Sequence, residues 1–138
     1  MSKNLCNKVG EIGQDNLIAK LFPPAETFGV KIPAGTGKLE RGTVLALAAD
    51  GTYCVFGNSK EIVSGEGENA VTTSYVPEAN CVLADPVDAS GEEDVVGVAY
   101  RTGHLNRKAL IVAEGYKMTM GDEEDLRKCG ILLSDMAL

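Results

Sequence analysis

The sequence predicts a mainly β domain, β-rich α+β in class. It has a compact antiparallel body, one short helix near the C-terminus and an extended N-terminal arm. Three observations lead there. Short runs of Val, Ile, Leu and Ala recur between turn signals rather than at helical spacing. Sixteen glycines and five prolines punctuate a chain of 138 residues. Only one stretch, near the end, carries both start and stop signals for a helix. The pattern leaves two arrangements open, a small barrel and an α+β sheet. At this length one domain buries roughly two-thirds of the surface its unfolded chain exposes, so a single core is expected.

In chain order, residues 1–28 read as the arm and residues 29–138 as the folded domain. Gly10, Gly13 and the Pro23-Pro24 pair break up the arm, and Leu17-Ile18-Ala19-Lys20-Leu21-Phe22 is its only apolar patch. That patch is too short for an independent helix, and Pro23 would stop one. The arm is therefore expected to be extended and to order when something binds it. From Phe28 the pattern turns to β. Phe28–Ile32 alternates, with Val30 and Ile32 on one face. Pro33 ends that strand, and "AGTGKLERGT" reads as a glycine-punctuated connection. Thr43–Ala48 is the next strand, Asp50-Gly51 a hairpin turn, and Thr52–Phe56 the returning strand.

Short β-like pieces at Glu61–Ser64 and Val71–Tyr75 sit in a polar, glycine-rich stretch. Asn80–Ala84 is a further strand, and "VDASGEED" a turn-rich acidic loop. Val95–Tyr100 and Ala109–Val112 read as two strands joined by a polar turn, Arg101–Lys108, which Gly103 relaxes. Val96, Val98, Tyr100, Leu110 and Val112 would line the sheet. The helix is expected over 122–129. Asp122 is its candidate N-cap, and Glu123, Glu124 and Asp125 lie near the positive end of its dipole. Arg127 and Lys128 lie near the other end, Gly130 is suited to C′, and Leu126 and Cys129 would face inward.

Charge narrows the function. Acids outnumber bases 20 to 13, a net −7. A nucleic-acid binder needs a Lys/Arg footprint that releases counterions, so no nucleic acid is expected. The same excess disfavours an anionic membrane surface, and no stretch approaches the roughly 20 apolar residues that span a bilayer. The opening "MSKNLCNKVGEIGQDN" has no apolar signal-peptide core, so synthesis in the cytoplasm is expected. Cys6, Cys54, Cys81 and Cys129 are widely spaced, form no CxxC, and are not set against the single histidine at zinc-finger spacing. They read as buried reduced thiols, with no metal and no cofactor.

Catalytic patterns fail one by one. His104 would be the general base of a nucleophilic site, yet no G-x-S-x-G turn offers a nucleophile. Gly35-Thr36-Gly37-Lys38 resembles a phosphate loop, but Ile32 stands where its first glycine belongs and Leu39 follows the lysine. The acidic runs Glu92–Asp94 and Asp122–Asp125 are adjacent in sequence, whereas catalytic pairs face one cleft from different segments. "DGTYCVFGNSKE" lacks the alternating oxygen ligands of a calcium loop. No enzyme is expected.

Three blocks carry a resemblance. They are "GKLERGTVLALAADGTYCVF" (37–56), "ANCVLADPVDASGEEDVVGVAYRTGHLNRKALIV" (79–112) and "DEEDLRKCGILLSD" (122–135). In order and wording they resemble tailed-phage and prophage head decoration proteins of the lambda head protein D type. The last block extends beyond the short members of that group. The resemblance implies a compact β-rich fold and no enzymatic activity. It implies a homotrimer on the exterior of the expanded capsid, clamping the major capsid protein against the pressure of packaged DNA. Leu17, Ile18, Leu21 and Phe22 of the arm would order on a partner, by strand addition to an edge. Arg101, His104, Asn106 and Arg107, at the tip of the polar turn, would touch a neighbouring subunit or the capsid. The competing expectation is a non-enzymatic β-rich module binding carbohydrate or peptide, in a phage or its host bacterium.

Overall fold

A computed structural model describes residues 16–135, so most of the expected arm, residues 1–15, lies outside the described residues. The strands are β1 (Ile18–Lys20), β2 (Glu26–Ile32), β3 (Gly37–Leu39), β4 (Val44–Leu47), β5 (Tyr53–Val55) and β6 (Lys60–Ser64). They continue with β7 (Val71–Tyr75), β8 (Ala79–Leu83), β9 (Val87–Ala89) and β10 (Val95–Asn106). Helix α1 (Met120–Cys129) and β11 (Ile131–Ser134) complete the chain. A 7-stranded sheet runs in the order β1-β10-β8-β4-β5, with β2 and β11 also paired to β10. β3–β9 and β6–β7 form separate two-stranded ladders. Pairing is antiparallel throughout these ladders except between β10 and β11. Of the two arrangements the sequence left open, the barrel is excluded. β1 and β5 end the strand order without pairing, so the sheet is not closed.

The segment 95–112 is not a hairpin. Residues 95–106 form one 12-residue strand that bonds to four others. Its first part pairs with β2 from Val95↔Ile32 to Thr102↔Glu26, and with β8 at Ala99↔Leu83 and Tyr100↔Val82. Its second part pairs with β1 at Ile18↔Leu105 and with β11 from Gly103↔Ile131 to Asn106↔Ser134. The register slips between Tyr100 and Thr102, leaving Arg101 as a bulge that bends the strand. Gly103 follows with φ +152°, a backbone that L side chains seldom adopt. The polarity of 101–108 suggested a turn. Polar residues are accommodated in a strand here because flanking backbone satisfies theirs. Gly103 N–H donates to Gly130 O at 3.2 Å, and Asn106 N–H donates to Leu17 O at 2.7 Å. A single 3-10 turn, Arg107–Ala109, follows, and of the second expected strand only Ile111 pairs, in a parallel bridge to Thr43.

The buried face of β10 carries its small residues, and Val96 and Val98, expected to line the sheet, lie on its exposed face. Gly97 and Ala99 point inward, while Val96 is 75% exposed and Val98 39%. Large side chains from the neighbouring strands fill the space above these small residues. A Cβ on Gly97 would lie 3.1 Å from Ile32 Cδ1 and 3.5 Å from Leu83 Cδ1. A period-2 strand inverts all its side chains with a one-residue shift, and here volume chose the register over hydrophobicity.

The sheet separates two apolar clusters. One contains Val44, Ala46, Phe56, Val82, Leu105, Leu126 and Ile131, together with Leu17. The other contains Val30, Ile32, Leu45, Cys81, Leu83, Ala89 and Ala99. Covering on both faces explains why Val44-Leu45-Ala46 is an unbroken apolar run rather than an alternating one. The expected hairpin at Asp50-Gly51 is present, with Leu45↔Val55 to Leu47↔Tyr53 in register. "AGTGKLERGT" and "VDASGEED", read as loops, each contribute a short strand to the β3–β9 ladder, Gly37↔Ala89 to Leu39↔Val87.

Helix α1 starts two residues earlier than expected. Thr119 is its N-cap, accepting from Asp122 N–H at 3.2 Å, while the Asp122 carboxylate accepts from Thr119 N–H at 2.9 Å. That carboxylate also accepts the Tyr116 hydroxyl, which pushes the phenol up to about 12. Leu126 turns inward as expected, whereas Cys129 is exposed. Gly130, at φ +109°, stops the helix and lets β11 start beside β10. A Cβ at Gly130 would lie 2.7 Å from Arg101 O. Gly130→Ala is therefore expected to lose about 2 kcal/mol or more in chemical denaturation. Gly121→Ala, in the first turn of the helix, would set its Cβ at an ordinary 3.6 Å contact with Thr119 Oγ1 and should gain a few tenths of a kcal/mol up to about 1. Equal effects at the two positions would contradict this account of Gly130.

Candidate functional site

The apolar patch Leu17–Phe22 divides at Lys20. Leu17 and Ala19 are each 2% exposed, and Ile18 is half-buried opposite Leu105. Leu17 and Ile18 are thus sheet and core residues, and the boundary expected at residue 28 cuts through β2. Leu21 and Phe22 differ, at 78% and 80% exposed. They lie on the β1–β2 connection, which the sheet holds in place. The Thr102 hydroxyl donates to Pro24 O at 2.7 Å and accepts from Glu26 N–H at 3.2 Å. Arg101, displaced outward by the bulge, sits 5.5 Å over the Phe28 ring, which meets Tyr53 edge-on at 6.2 Å. Leu21, Phe22 and Arg101 therefore share one structured corner of the molecule.

His104, Asn106 and Arg107 belong to a different neighbourhood. His104 is half-buried in mid-strand, opposite Lys20 on one side and Leu132 on the other. Its Nε2 is enclosed and has no hydrogen-bond partner among the described residues. It lines an open cleft of about 350 Å³ shared with Arg107, Met120, Glu123, Arg127 and Leu132. The charges there are spent on one another. Arg107 Nε donates to Glu123 at 2.9 Å, its Nη1 donates to Asp135 at 2.6 Å, and Arg127 pairs with Glu124 at 2.7 Å. The bonds to Glu123 and then to Asp135 raise the Arg107 guanidinium above its already high range. Asn106 is buried at 8% exposure, and its side-chain oxygen accepts from Lys108 N–H at 3.1 Å. The expected basic tip is therefore not one feature. Arg101 faces solvent at the corner, and Arg107 locks α1 and the end of β11 onto β10.

Other residues outrank these. Arg41 donates to Ala84 O at 2.8 Å and Tyr100 Oη at 2.6 Å, with its guanidinium 5.4 Å from the Tyr100 ring centre. The hairpin β6–β7 stands off the body, with Val63 63% and Val71 59% exposed. Its signal in the sequence was two β-like pieces without an apolar face, which marks a ribbon that covers no core.

Among the described residues no group of three or more His, Cys, Asp or Glu is placed to hold a metal, and no helix is long and apolar enough to cross a membrane. The chain matches no protein-family model, and no curated protein matches it.

The thiols differ in environment. Cys81 is buried, which pushes it up to about 12, and burial raises Cys54 as well. Cys129 is exposed, and its thiol is raised by partial burial first and then by Asp125 and Glu78. Cys6 lies outside the described residues. A maleimide reagent at neutral pH should label Cys129 in the folded protein and reach Cys54 and Cys81 only after unfolding. A raised thiol holds less thiolate at a given pH, so labelling of Cys129 should be slower than that of a free thiol of about 8.5 and should accelerate as pH rises. Labelling of Cys81 at the rate of Cys129 would contradict the burial described.

Proposed function

We propose that this chain is a head decoration protein of a tailed phage or prophage. It binds the major capsid protein on the exterior of the expanded capsid as a homotrimer and braces the shell against packaged DNA. It is made in the host bacterial cytoplasm and ends in the virion. The wording of residues 37–56, 79–112 and 122–135 supports the reading. The observation that carries it is the placing of the apolar groups left outside the core. Leu21 and Phe22 on a pinned corner, and Val63 and Val71 on a standing ribbon, are left uncovered by the described residues and offer apolar surface to a partner. His104, by contrast, is held in mid-strand between two partners, in a cleft whose charges are already paired.

Cementing suits such a body. Three modest contacts presented by one trimer act at high effective concentration, so no single deep pocket is required. The acidic surface keeps the unbound protein soluble until it docks.

Mixing the protein with expanded capsids built from the major capsid protein of the same phage tests the reading. Binding should be stoichiometric and saturable, and bound shells should resist heat better than bare ones. His104→Ala should bind as the parent does. No binding, combined with a monomeric mass at high concentration, would sink the reading. A specific turnover abolished by His104→Ala would replace it with an enzyme.

A further inference from the structure

The hairpin β6–β7 covers no apolar core among the described residues. Every residue from 61 to 74 is exposed, and the ladder runs from Lys60↔Tyr75 to Ser64↔Val71 without a third strand. A two-stranded ribbon is marginal in water unless something packs on it. Its tie to the body is at the base, where the Tyr75 hydroxyl accepts from Ala49 N–H at 2.8 Å. Strand β7, "VTTSY", carries no charge, no proline and no bulge, the usual guards of an open edge. Val63 and Val71 flank the tip, one on each face of the ribbon, and the tip itself holds Glu66 and Glu68.

The β1–β2 corner has the opposite character. Lys20, Leu21 and Phe22 are consecutive and exposed, and Arg101 lies at the same corner. One patch is apolar and acidic, whereas the other is apolar and carries Lys20 and Arg101 against the single carboxylate of Glu26. They lie on separate connections, the corner between β1 and β2 and the arm that follows β5. Two different complementary patches on one chain make a head-to-tail contact, which closes into a ring where the rotation between copies allows it and runs on as a filament where it does not.

We propose that the tip of the β6–β7 arm docks on the Lys20–Phe22 corner of a second copy of this chain. The tip wedges in beside Leu21 and Phe22 with Val63 on one face and Val71 on the other, and Glu66 and Glu68 approach Lys20. The number of copies in the ring, three, rests on the function proposed above; the docking itself rests on the two patches.

Sedimentation and native mass of the full chain test this. The parent should be a trimer. Val63→Glu with Val71→Glu, and separately Leu21→Ser with Phe22→Ser, should each raise the concentration for half-assembly by more than about 100-fold, with unchanged circular dichroism. Mixed together, the two double variants should form a 1:1 dimer and stop, because one intact arm meets one intact corner. Lys20→Glu should weaken assembly, and adding Glu66→Lys and Glu68→Lys should restore it, which separates docking from any loss of folding. Trimers that persist in both double variants would overturn the docking and leave the trimer intact. A parent chain that stays monomeric at every concentration would overturn the docking, while stoichiometric binding to capsids would still uphold the function proposed above.

Discussion

Strand β10 has to serve two sets of partners with a single backbone, and the rest of the molecule is arranged around how it does so. A straight strand can pair with only one neighbour on each edge. By slipping register at Arg101 and turning at Gly103, β10 gives its first part to β2 and β8 and its second part to β1 and β11. The bend needs both features, an unpaired residue to change direction and a glycine to accept the resulting dihedral. Its neighbours then crowd it. Gly130 must lack a Cβ because the Arg101 carbonyl passes beside it, so the helix stop and the strand bend are one constraint seen from two places.

Packing follows from that strand. Gly97 and Ala99 make the inner face of β10 shallow, and Val30, Ile32 and Leu83 fill the space. On the other side Leu105 meets Leu126 of α1 and Ile131 of β11, so the helix is held by its one buried leucine and by the Arg107 pairs to Glu123 and Asp135. These pairs are partly exposed and screened, worth little singly, and act more to fix orientation than to supply stability. The apolar clusters on both faces supply it.

Function, on the proposed reading, belongs to what this core leaves outside. The corner at Leu21–Phe22 and the arm at Val63–Val71 are held by the fold without being used by it, which is the condition of an interaction surface. A fixed corner loses little conformational freedom on docking, and a ribbon with an unguarded edge gains partners for its backbone groups. Both features suit assembly through repeated moderate contacts.

By itself the sequence determined the β-rich class, the Asp50-Gly51 hairpin, the inward face of Val30 and Ile32, and one C-terminal helix ended at Gly130. Each depends on a local rule: period, turn chemistry or helix punctuation. Only the tertiary structure decided that residues 101–106 continue a strand, since partners distant in sequence satisfy their backbone. It alone decided that Gly97 and Ala99, not Val96 and Val98, face inward, because the volume of Ile32 and Leu83 sets that choice. It also separated Leu17 and Ile18 from Leu21 and Phe22, and Arg101 from Arg107. Those residues are neighbours in the chain with the same chemistry, and what each can touch depends on which side of a bent strand it leaves.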